Sequence, residues 1–106
     1  VAQIHGLQDS VVSYYGSAWS KPIEEVMEYW ANNNNCSNES NSSEITGSNG
    51  GGTHDVFSEC DNQTSVELFL MNNMGHDWPS LNNHDIQAST TIWDFLSKYD
   101  IDGLIQ

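Results

Sequence analysis

Basic side chains are nearly missing from this chain: two Lys or Arg stand against fifteen Asp or Glu, a formal charge of −13. A surface of that sign repels phosphate backbones and anionic lipid, which argues against nucleic acid and membrane surfaces as partners. The acidic residues are dispersed among Asn, Ser and Gly, the pattern of a solvated exterior, with a specific cationic ligand as the sharper alternative. Long hydrophobic runs are absent too. No stretch of about 18 apolar residues occurs, so no membrane span is expected. The opening Val1-Ala2-Gln3-Ile4-His5 has neither a basic region nor a long apolar stretch and does not read as a signal peptide. It lacks an initiator methionine and starts as if in mid-strand, as expected of a piece cut from a longer chain. With 37% apolar residues in 106, a thin core in one small domain is expected.

Several chemical signatures are also missing. No two of His5, His54, His76 and His84 sit at the i, i+4 spacing of a helical zinc site, and no C-x-x-C occurs, so no metal is expected. No glycine-rich loop leads from a strand into a helix, so phosphate binding has no support and no cofactor is implied. The only two cysteines, Cys36 and Cys60, flank a polar segment. They permit one pairing without establishing it, the alternative being two free thiols. A bridge would imply an oxidising compartment, hence a secreted or periplasmic protein. Asn35, Asn38, Asn41 and Asn62 each begin an N-glycosylation sequon, expected by chance in so Asn- and Ser-rich a stretch.

What is present reads as β-α-loop-β-β-α. Val1 to His5 is a short apolar run ending at Gly6, consistent with a buried strand. Ser20 looks like an N-cap, with Pro22 and the acidic pair Glu24 and Glu25 in the first turn. Ile23, Val26, Met27 and Trp30 then make one helical stripe. Residues 33–53 are almost all Asn, Ser, Gly and Glu and read as a polar surface loop or insertion. Val56 to Cys60 and Ser65 to Met71 are strand candidates. In the second, Val66, Leu68 and Leu70 alternate with Glu67, Phe69 and Met71. Asp85 is a candidate cap for a last helix striped by Ala88, Ile92, Phe95 and Leu96.

Two loops carry the chemistry. Asp9 follows the first strand, where a carboxylate can turn into a pocket and orient a histidine; the plainer reading is a turn aspartate bonded to its own backbone. His76 follows a later strand within Gly75-His76-Asp77-Trp78-Pro79, and a loop imidazole is the usual general base for a serine hydroxyl. Acid first and histidine much later is the order in which an α/β-hydrolase presents the end of its triad. No G-x-S-x-G is found.

These residues carry a family resemblance. Val1 to Asp9 followed by Val11-Val12 and Tyr14 resembles the strand, His-Gly-x-x-Asp and Val-Val-x-Tyr segment of secreted polyhydroxybutyrate depolymerases and feruloyl esterases. Met27-Glu28-Tyr29-Trp30-Ala31 with Asn35-Cys36 is similar to that family's helix. Cys60, Val66-Glu67-Leu68 and Gly75-His76-Asp77-Trp78-Pro79 are similar to its later Cys, strand and Gly-His-x-Trp-Pro order. Ile86 and Ala88 to Phe95 resemble its final helix.

The resemblance implies the C-terminal part of an α/β-hydrolase sheet, an incomplete three-layer αβα domain. It implies Asp9 as triad acid, His76 as base, Trp78 as a substrate-binding wall and Cys36–Cys60 as a structural disulfide. The substrate would be a polyester or plant cell-wall ester. The nucleophile and oxyanion hole would lie in the missing N-terminal half of the same domain, so the chain alone should be inactive. A non-catalytic remnant or binding module is the alternative. Strands cut from a larger parallel sheet leave an unpaired edge, so self-association or marginal stability is expected.

Overall fold

Strand β4, Val66–Met71, is a central strand of a four-stranded sheet in the computed structural model, which describes residues 1–105. Its alternation divides the core in two. Val66 and Leu68 meet Ile23 and Met27 of helix α1, Ile23–Asn33, while Met71 joins Met74 and Ile86 in a second cluster lined by Phe69 and Ile4. Strand β1, Ala2–Gly6, pairs parallel to β4 with Ile4 opposite Phe69. Strand β3, Gly52–Phe57, pairs antiparallel on the other side with His54 opposite Phe69. Strand β2, Ser40–Ile45, completes the order β1-β4-β3-β2 by antiparallel pairing with β3. Helix α2, Ala88–Leu96, packs against β1, and the two-residue strands β5, Tyr99–Asp100, and β6, Gly103–Leu104, form a separate antiparallel ladder.

The three-layer αβα expectation is overturned. Among the described residues, six strands and two short helices make a small, mostly sheet domain, and two of the three pairings in the main sheet are antiparallel. The reason lies in segment 33–53, expected as a loop. Its Ser40–Ile45 stretch is polar and almost wholly exposed, yet its backbone completes a ladder with β3. The turn between them reverses the chain at Gly50 and Gly51, both at positive φ, which glycine adopts without strain. The strand expected at Val56 to Cys60 starts earlier, at Gly52, and ends at Phe57.

Two capping expectations also fail. Pro22 itself precedes α1, and the Ile23 N–H is taken by the Tyr14 carbonyl at 2.9 Å, so the Ser20 hydroxyl is left to pair with that of Ser17. Asp85 does not cap α2, which Gln87 precedes. Its carboxylate instead accepts the N–H of Gly51 at 2.7 Å and of Asn49 at 3.1 Å, tying the β2–β3 turn to the 83–87 segment. On α2 itself Ala88 and Phe95 are buried, whereas Trp93 and Leu96 are exposed. Cys36, just after α1, and Cys60, just after β3, are joined in a disulfide whose buried sulfur side packs on Ile23, Met27 and Val66.

Candidate active site

Because β1 and β4 run parallel and adjacent, the loops that follow them leave the same end of the sheet. Backbone bonds stitch the loops together: Leu7 N–H to the Met71 carbonyl at 2.9 Å and Gln8 N–H to the Met74 carbonyl at 3.0 Å. Gly6 permits this approach, since any Cβ there would overlap the Met74 carbonyl oxygen. Buried Met74 anchors the second loop to the core. Asp9 and His76, 67 residues apart in sequence, are thereby brought into contact.

Asp9 is buried and fully used. One carboxylate oxygen, Oδ1, accepts the Val11 and Val12 N–H groups, each at 2.8 Å, while Oδ2 lies 2.9 Å from His76 Nδ1. Burial alone would push its carboxyl up, but the hydrogen bonds from Val12, His76 and Val11 outweigh it and hold the group below its ordinary value. An ionised Asp9 accepts, so Nδ1 of His76 must donate. The neutral imidazole is then the Nδ1–H tautomer, leaving Nε2 with its lone pair free. The ring is 57% exposed, so that lone pair is reachable.

His76, Asp9 and Trp78 line one cleft of about 410 Å³ together with Gln3, Ile4, His5, Val12 and Met74. Trp78 is mostly exposed and presents its indole as a wall. Next to His76, Asp77 bonds the buried His84 at 3.3 Å, which steadies the loop beyond the base. None of the residues lining the cleft is Ser, Thr or Cys. The arrangement can take a proton and return it, and it can cradle an apolar group against Trp78. It holds no hydroxyl or thiol nucleophile.

Two features escaped the sequence reading. His5, weighed there as a metal ligand and as the His of the His-Gly-x-x-Asp segment but given no role beside Asp9, is buried in the cleft wall with Nε2 at 2.7 Å from the Val12 carbonyl. A third carboxylate–imidazole pair joins Glu67 Oε1 to His54 Nε2 at 2.6 Å, with His54 stacked on Phe69. There the other oxygen, Oε2, accepts the Ser65 hydroxyl at 2.6 Å and lies 3.9 Å from Lys98 Nζ, so the pair is a closed clamp within the sheet. The signal for it was a lone charge, Glu67, inside an apolar alternation. For His5 the signal was its place four residues before Asp9.

Among the described residues no group of three or more His, Cys, Asp or Glu is placed to hold a metal ion, and no helix is long and apolar enough to cross a membrane. Compared with protein families, curated proteins and solved structures, the chain matches none.

Proposed function

We propose that this chain supplies the acid and base of a serine carboxylic-ester hydrolase, of the polyhydroxyalkanoate depolymerase or feruloyl and acetyl esterase type. The observation that carries the reading is the 2.9 Å contact of Asp9 with His76 Nδ1 at the rim of the Trp78 cleft. In this reading His76 Nε2 removes the proton of a serine hydroxyl as it attacks the ester carbonyl. Asp9 stabilises the imidazolium that forms, and Nε2 then delivers the proton to the leaving alcohol. The serine comes from a segment outside these residues, since the cleft wall has none. A disulfide that joins Cys36 and Cys60 favours a secreted or periplasmic setting. The test is hydrolysis of a short-chain p-nitrophenyl ester by the parent protein that contains the serine. His76→Ala should abolish turnover; turnover at the unsubstituted rate would refute the reading.

The absent nucleophile also favours a second reading, a binding module that uses the cleft without catalysis. It requires no ester turnover with any serine-bearing partner, together with a change in Trp78 fluorescence on adding a polyester oligomer. Loss of that change in Trp78→Phe identifies the cleft.

A further inference from the structure

His5 lies at the buried end of β1 with its ring between two partners. Its Nδ1 is 3.2 Å from the Gln3 side-chain nitrogen and its Nε2 is 2.7 Å from the Val12 carbonyl oxygen. An amide nitrogen donates and a carbonyl accepts, so the neutral ring carries its proton on Nε2 and gives it to Val12. Val12 is thus held at both ends, its carbonyl by His5 and its N–H by Asp9 Oδ1. The same Nε2–H edge faces Asp9 Oδ2 at 3.7 Å, beyond hydrogen-bond reach but with its positive end toward the oxygen that binds His76.

We propose that His5 is a positioning residue for the acid–base pair, gripping the Val12 carbonyl so that the 9–12 turn holds Asp9 in the one orientation that meets His76. The proposal rests on reading Asp9 and His76 as that pair. A histidine that merely satisfied its own buried nitrogens would leave the His76 tautomer unchanged when replaced. A positioning residue would not, because the loosened turn presents the carboxylate to His76 for only part of the time.

The experiment reads imidazole nitrogens in the whole chain by long-range proton–nitrogen correlation, at about pH 8.5, above the ordinary imidazole range. In the unsubstituted protein the His5 proton should be on Nε2 and the His76 proton on Nδ1. His5→Gln keeps an N–H donor toward Val12 and should keep the His76 ratio. His5→Leu fills the space without a donor and should lower the Nδ1–H to Nε2–H ratio of His76 roughly tenfold, the weight of one hydrogen bond. A folded His5→Leu protein with an unchanged ratio overturns the proposal, as does a His5 proton on Nδ1. If His5→Leu does not fold, His5→Met, which also lacks a donor but packs more flexibly, takes its place: a ratio lowered about as far supports the proposal, and an unchanged ratio, or a His5 proton on Nδ1 in the unsubstituted protein, overturns it. Because no substrate is involved, a parent protein without esterase activity would refute the functional reading and leave this measurement standing.

Discussion

Gly6 and the Met74 carbonyl lie so close that no Cβ fits between them, and this contact sets the distance between the two loops of the cleft. Gly75, one residue further along the second loop, has room: a Cβ there meets only the Gln8 carbonyl, at 3.8 Å.

Gly6→Ala should therefore force the Met74–Gly75 backbone away from β1, break the Gln8–Met74 bond and destabilise the fold by about 3 kcal/mol. Gly75→Ala should change stability by less than about 1 kcal/mol. Urea unfolding of the two variants checks the contrast. Equal stabilities would mean that the loops can separate freely.

Acid should unfold this protein through two named carboxylates. At Asp9 and Glu67 burial works to raise the pKa. It is outweighed at Asp9 by the Val12, His76 and Val11 hydrogen bonds, and at Glu67 by those of Ser65 and His54 with the Lys98 charge. Both folded-state values are depressed, so each group contributes stability that is complete above its unfolded value near about pH 4 and is lost as pH falls through the folded one. The melting temperature should be level from neutral pH to about pH 5 and then fall. Glu67→Gln should flatten the fall while lowering the neutral plateau. A Glu67→Gln curve parallel to that of the unsubstituted protein would contradict this.

Removing the Cys36–Cys60 bridge, which spans 24 residues of sequence and encloses the whole β2–β3 hairpin, should cost about 3 kcal/mol on the chain-entropy account. Cys36→Ser with Cys60→Ser, compared with the oxidised protein in urea, measures it. The hairpin amides, Asp55 and Val56 among them, should then lose more exchange protection than those of β1.

The polarity of that hairpin explains what could and could not be read beforehand. Strand β4 and helix α1 announce themselves because their apolar residues recur at the periods of a strand and a helix, and those faces are the ones buried. Strand β2 has no such period, since its exposed Ser, Asn and Glu side chains contribute nothing to a core; backbone hydrogen bonds hold it, with Ser42 donating to the Asp55 carboxylate and Ile45 packed at its end on the second cluster. Its direction, and with it the mixed sheet, follows from the turn at Gly50 and Gly51 and from Asp85, which binds that turn from 34 residues away. A remote staple of this kind leaves no local pattern. Asp9, His76 and Trp78 could be singled out as polar or aromatic residues just past apolar runs. Their convergence needed the parallel pairing of β1 with β4.

Asp85→Ala should release the Asn49 and Gly51 amides together. The loss of these charge-assisted bonds should destabilise the protein by about 2 kcal/mol and raise hydrogen exchange at both amides. Exchange that rises at neither would show that the turn holds its shape alone.

The most direct measurement places the His76 proton in Asp9→Asn. An Asn at this position must direct its oxygen to the Val11 and Val12 N–H groups, which leaves its NH₂ facing His76 Nδ1. That nitrogen must then accept, and the proton moves to Nε2, the atom a base needs free. The account predicts an Nδ1–H tautomer in the unsubstituted protein and an Nε2–H tautomer in the variant, at a pH where the ring is neutral. The same tautomer in both would contradict it.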